Sequence, residues 1–148
     1  MTTIRVRAAR ADEYDTWYPL WRGYQAFYKV DIAEDVSRLT WQRFFDAAEP
    51  MHCDLVEVDG RVVGLVHSID HRSCWLNGPS CYLQDLFVAP AQRGLGLGRL
   101  LIEHVYAQAR ARGCERVHWL THETNLDAMK LYDRIADKPG FVQYRKSL

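Results

Sequence analysis

The chain has 148 residues, 48% of them hydrophobic, and its nineteen basic side chains are matched by nineteen acidic ones. That length predicts a single domain over residues 1–148, long enough to bury roughly two thirds of its unfolded surface. The balanced charge excludes a global pull toward nucleic acid or a membrane surface, so selectivity must reside in a local site.

In chain order, Met1–Asp15 has no apolar leader core and no run approaches the roughly 18 apolar residues of a membrane span, which predicts a cytoplasmic chain. Ile4, Val6 and Ala8 alternate with polar residues as a first strand. Trp17, Trp21, Tyr24 and Tyr28 then recur at close to the helical period, and "DVSRLTWQRFFD" reads as a second helix. Asp59-Gly60 between two β-branched runs predicts a tight hairpin in "CDLVEVDGRVVGLVHSI". "CYLQDLFV" is a further strand, and Ile102, Val105, Tyr106 and Ala109 mark the apolar face of a helix ended by Gly113. "RVHWLT" reads as a strand. Thr124-x-x-Asp127 is a cap signal for a last helix carrying Ala128, Leu131, Tyr132 and Ile135, and "FVQYRK" predicts a closing strand.

Cys53, Cys74, Cys81 and Cys114 are scattered and read as reduced thiols. His71, Cys74 and Cys81 are too loosely spaced for a zinc set, so no metal is expected. His122-Glu123 lacks the second histidine of H-E-x-x-H, and the other histidines are isolated.

"PAQRGLGLGR" concentrates Gly94, Gly96 and Gly98 in a chain with only nine glycines. A strand running through a glycine loop into a helix presents unpaired N–H groups and the positive end of the helix dipole to an anion. A Walker loop is excluded because no Lys-Ser or Lys-Thr follows. The dinucleotide fingerprint fails because Arg99 or Leu101 occupies its last glycine place. Arg93, Gly96 and Gly98 instead satisfy R-x-x-G-x-G after the strand end "LFVAP".

That motif resembles the coenzyme A pyrophosphate loop of the GNAT acyltransferase superfamily. About thirty residues on, Asn125, Ala128, Leu131, Tyr132, Gly140 and Phe141 resemble the family's N-x-x-A-x-x-L-Y and G-F signature. The resemblance implies an α/β fold, a mixed and mainly antiparallel twisted sheet flanked by helices with a βαβαβ C-terminal half, and acetyl-CoA as co-substrate. It places the backbone of Leu86, Phe87 and Val88 along the pantetheine arm and the amides of Arg93, Gly94, Leu95, Gly96, Leu97, Gly98 and Arg99 at the pyrophosphate. Arg99 is either an added cation or a solvated helix residue, and Asn125 either a pantetheine partner or a helix cap. Tyr132 corresponds to the general acid, although its spacing equally continues a core stripe.

The family's polyamine-acetylating members read Leu-Glu-Asp-Phe-Phe-Val where this chain has "LQDLFV". Gln84 therefore stands at the glutamate place and cannot be a base, which leaves Asp85 either to bind the ammonium or relay its proton through water or to serve as a structural residue at a strand bulge, with Glu123 a weaker alternative. The long gap from Tyr132 to Gly140 resembles the fungal-type histone and polyamine acetyltransferases and their bacterial relatives, which implies a small basic amine acceptor and a homodimer. A peptide or protein lysine acceptor, or a coenzyme A sensor without turnover, remains open at this level. So does the aromatic stripe from Trp17 to Tyr28, as core or as the acceptor wall, with Asp31, Glu34 and Asp35 as an acidic rim.

Overall fold

A computed structural model describes residues 1–148. Five strands, β1 (Ile4–Ala8), β2 (Met51–Val58), β3 (Arg61–His71), β4 (Ser80–Val88) and β5 (Arg116–His118), form one sheet in the order β1-β2-β3-β4-β5. The neighbours are antiparallel except β4 and β5, which are parallel. Four helices cover it: α1 (Tyr14–Tyr28), α2 (Glu34–Phe44), α3 (Leu97–Ala111) and α4 (Leu126–Ile135).

The β2–β3 hairpin turns where expected, with Asp59 at φ 51° and Gly60 at φ 80°. Both positive values match the twist of the flanking strands in a two-residue turn. Period-2 alternation then sorts the central strands into two cores. One face packs Val56, Val66, Cys81 and Leu83 against Leu101, Ile102 and Val105 of α3. The other packs Leu55, Leu65 and Phe87 against Trp17, Trp21 and Trp41 of α1 and α2. A Cβ at Gly23 would come within 2.8 Å of the Phe87 ring, so the missing side chain sets how closely α1 lies on β4.

Two expectations fail at the C-terminal end. The "RVHWLT" strand shrinks to Arg116–His118, paired with Ser80–Tyr82 alone, and "FVQYRK" forms no strand. β4 and β5 separate after Tyr82, so the residues that follow His118 have no partner on β4. The βαβαβ half is therefore βαβα in this chain, with Phe141, Val142 and Tyr144 exposed on the tail. The cap signal is also displaced by one residue, since Asn125 rather than Thr124 occupies the N-cap of α4.

Candidate active site

The separation of β4 from β5 opens the site. Tyr82 is the last β4 residue on the β5 ladder, so the edge of β4 from Leu83 to Val88, including Leu86, Phe87 and Val88, lacks a strand partner on that side. Its free backbone groups are what an added extended chain would pair with.

At the C-terminal end of β4 the chain passes a 3₁₀ turn at Pro90–Gln92 and enters the glycine loop. Gly94 and Gly96 have φ of 89° and 73°, a region that side chains rarely adopt, and Gly96 is the N-cap of α3. The N–H groups of Gly94, Leu95, Gly96, Leu97, Gly98 and Arg99 find no acceptor within the protein, and no side chain caps the helix. Gly98 has an ordinary φ, and a Cβ built there would meet nothing within 4 Å. Neither backbone conformation nor internal packing requires a glycine at that place, although glycine weakens a helix by about 0.5–1 kcal/mol relative to alanine. The open surface there leaves room for the close approach of an external anion. The residues present thus fit a pyrophosphate: a run of free donors, the positive end of α3 and a surface cleared of side chains.

Not every loop residue is equally available. Leu97 is buried and anchors α3 in the core. Arg93 lies 5.4 Å above the Phe27 ring and donates to the Val88 carbonyl. Arg99 pairs with Glu103 one turn on, at 2.8 Å and half exposed, in agreement with the solvated reading of that side chain.

Asn125 makes no side-chain cap bond, which disfavours the purely capping alternative. Its Nδ2 donates to Thr121 Oγ1 at 3.0 Å, which orients the amide and leaves the carbonyl oxygen without a partner. Tyr132 is half-buried, with its ring edge-on to Trp119 at 5.3 Å. Burial, with a smaller contribution from Tyr28, raises its phenol above the ordinary value, so it is protonated at neutral pH.

The sheet face under α1 and α2 carries a cavity of about 440 Å³, lined by Trp21, Tyr24, Val30, Ile32 and Phe44 among others, with Gln84 and Asp85 in its wall. Strict alternation along β4 would put Asp85 with Leu83 in the apolar core under α3. A β-bulge prevents that: His67 pairs with Asp85 but Ser68 pairs with Leu83, so Gln84 is the extra residue. The bulge turns Asp85 to the cavity face.

Asp85 is 7% exposed, and its Oδ2 lies 2.9 Å from His67 Nδ1. His67 Nε2 lies 2.9 Å from Trp17 Nε1. An indole N–H only donates, so Nε2 must be the acceptor and the ring proton sits on Nδ1, pointing at Asp85. The His67–Asp85 contact is therefore a hydrogen bond from a neutral imidazole, and His67 has no free nitrogen with which to take a proton. Burial and the Asp85 charge together push the Tyr24 phenol upward, and Tyr28 responds in the same way. Asp85 is thus a buried carboxylate ringed by protonated phenols.

These positions resolve the aromatic stripe. Trp17 is core, Trp21 belongs to both core and cavity wall, Tyr24 lines the cavity, and Phe27 and Tyr28 are exposed. Asp31 is engaged by Arg22 at 2.7 Å, and neither it nor Glu34, Asp35 or Glu123 lines the cavity. Gln25 does contribute from below: its buried Oε1 accepts from Ile32 N–H at 2.8 Å and pins the segment carrying Val30 and Ile32 over the cavity. His67 and Arg145, which also lines the cavity, were not singled out by the sequence. His67 carries a weak signal, as a polar residue in the "VVGLVHSI" apolar strand.

The sequence pattern of the Acetyltransferase (GNAT) family matches residues 12–136. The chain belongs to that family. It is 32% identical to the D-amino-acid N-acetyltransferase HPA3 of Saccharomyces cerevisiae over 97% of this chain and 91% of that protein. It is 27% identical to the thialysine N-epsilon-acetyltransferase of Mus musculus over 98% of this chain and 93% of the mouse protein. Among solved structures, the aminoglycoside acetyltransferase AAC(6')-Iy in complex with a CoA bisubstrate analogue superposes with a TM-score of 0.85 at 16% identity, covering 99% of both chains. That likeness concerns the fold. Membership and the named relatives make this chain an N-acetyltransferase, of a family whose acyl donor is acetyl-CoA. No helix is long and apolar enough to cross a membrane.

Proposed function

We propose that the chain transfers the acetyl group of acetyl-CoA directly to the primary amine of a small basic acceptor held in the cavity beside Asp85. The observation that carries this reading is the bulge at Gln84, which delivers a carboxylate to an aromatic cavity next to an unpaired strand edge. In this reading the Leu86–Val88 edge pairs with the pantetheine arm, the amides from Arg93 to Arg99 hold the pyrophosphate, and Asn125 offers its carbonyl to the arm.

An alkyl ammonium of pKa near 10.4 must lose a proton at neutral pH, a cost of roughly 4.6 kcal/mol. Asp85 binds the ammonium and receives that proton, taking the place of the missing glutamate. His67 cannot pass it inward, so it leaves through the open cavity. The amine nitrogen bonds to the acetyl carbon, the carbon–sulfur bond breaks as Tyr132 gives its phenolic proton to the departing sulfur, and the proton that the nitrogen sheds on becoming the amide restores the phenol. The aromatic wall of Trp21, Tyr24 and Phe44 suits a cationic acceptor, which supports the likeness to the fungal-type polyamine enzymes implied by the sequence. The four cysteines are all free, in keeping with a cytoplasmic setting, and the exposed apolar side chains of the C-terminal tail favour a homodimer.

Steady-state kinetics of two variants test the assignment. Tyr132→Phe should lower kcat on the order of 100-fold with little change in acetyl-CoA affinity, and Asp85→Asn should raise the amine KM as well as lower kcat. Unchanged rates in either would remove that residue from the mechanism.

A further inference from the structure

A second cavity, of about 310 Å³, lies between the C-terminal ends of α2 and α3, at the opposite end of α3 from the glycine loop. Phe44 and Phe45 form its apolar side, and Asp54, Gln108 and Arg112 its polar side; neither Asp85 nor Tyr132 lines it. Asp54 is 8% exposed, and its Oδ1 lies 3.1 Å from His104 Nε2. Its Oδ2 has no hydrogen-bond partner in the protein. Arg112 does not supply one, because its Nε and Nη2 donate to the two oxygens of Asp70 at 2.7 and 3.0 Å. The buried Glu13 likewise holds Arg7. Asp54 is thus a buried carboxylate with no arginine or lysine on it, and a buried polar atom calls for a partner.

The arrangement repeats that of Asp85, which is also buried beside an imidazole in the wall of an aromatic cavity. An anion entering the second cavity would meet two carboxylates, Asp54 and Asp70, and a guanidinium already bonded to Asp70. A cation would meet a free carboxylate oxygen and two phenyl rings, whose faces favour positive charge. We propose that this cavity is an effector site for a small organic ammonium, its N–H on Asp54 Oδ2 and its apolar body against Phe44 and Phe45. Phe44 supplies the connection to catalysis. Its ring lines both cavities and lies 4.8 Å from the ring of His67, which holds Asp85. A ligand seated against Phe44 therefore biases the group that receives the acceptor amine, and each site alters the affinity of the other. The effect on turnover rests on the acetyltransferase reading; binding at Asp54 does not.

The probe is N,N-dimethylphenethylamine, a tertiary amine that is cationic at neutral pH and cannot become an amide. Calorimetry on Asp85→Asn, which removes the charge of the acceptor cavity, should show one site, and adding Asp54→Asn should weaken it roughly tenfold, as expected for loss of a charge-assisted bond. Gln108→Lys, on the exposed face of α3, brings a competing ammonium to Asp54 and should weaken the site similarly even if Asp54→Asn disturbs the fold. No binding to Asp85→Asn, or an affinity that survives both further changes, would overturn the site. In the otherwise unaltered enzyme, the acceptor KM at saturating probe should differ by about fivefold between wild type and Gln108→Lys, although the two agree without the probe. Equal KM values at every probe concentration would mean competition in the acceptor cavity alone and would overturn the effector role. Absence of thiol release with every amine would overturn the acetyltransferase reading, with the Asp54 site still judged by calorimetry.

Discussion

The Trp17 indole has a single hydrogen to give, and giving it to His67 Nε2 determines how Asp85 is held. Replacing His67 tests that chain of consequence. His67→Leu strands the Trp17 donor and the Asp85 carboxylate, each buried group costing about 1–3 kcal/mol, and should raise the amine KM while leaving that for acetyl-CoA in place. His67→Gln can accept from the indole and donate to Asp85, so it should recover most of the amine affinity. If Leu and Gln behave alike in amine KM, His67 fills space and does not position Asp85. The sequence reading reached Asp85 by elimination, from the glutamine at the neighbouring place. It did not reach His67, because its two partners lie 50 and 18 residues away and meet it only across the folded sheet.

At the scale of elements, the glycine loop was legible because its requirement is local: positive φ at Gly94 and Gly96 and a helix start with unpaired amides are properties of a few consecutive residues. Gly98 offers a direct probe. Gly98→Ala should stabilise α3 by about 0.5–1 kcal/mol, visible as a higher Tm, and at the same time weaken coenzyme A binding measured by calorimetry. Tighter stability with unchanged affinity would show that nothing approaches the Gly98 surface. A second element-level device joins β1 to the start of α1, where the buried Arg7 guanidinium grips both oxygens of Glu13 at 2.8 and 2.7 Å and Glu57 at 2.6 Å. The bond from Arg7 holds the Glu13 carboxyl at about 2, below its ordinary 4.5. Because the folded value is the lower one, this contribution is complete above pH 4.5 and lost as pH falls toward 2. Melting curves should show the wild type losing its advantage over Glu13→Gln across that window. A constant difference between the two at every pH would contradict the pairing.

For the whole molecule, the hydrophobic pattern of the sequence was enough to place four helices and the first four strands, since the apolar residues of each recur at its own period. It failed for the two C-terminal strand segments. "WLT" and "FVQYRK" have strand composition, but a strand needs a neighbour, and the separation of β4 from β5 withholds one from "WLT". That gap is the same opening on which the proposed donor site depends, so the shortened β5 and the site have one structural cause. The central claim is that these parts act together as an acetyl transferase acting on amines, and not as a coenzyme A sensor. Thiol release from acetyl-CoA, followed with and without a primary amine and alongside mass-spectrometric detection of the acetylated amine, decides between them. The account requires amine-dependent release in equal amount to N-acetylated product; acetyl-CoA binding with no amine-dependent release would contradict it.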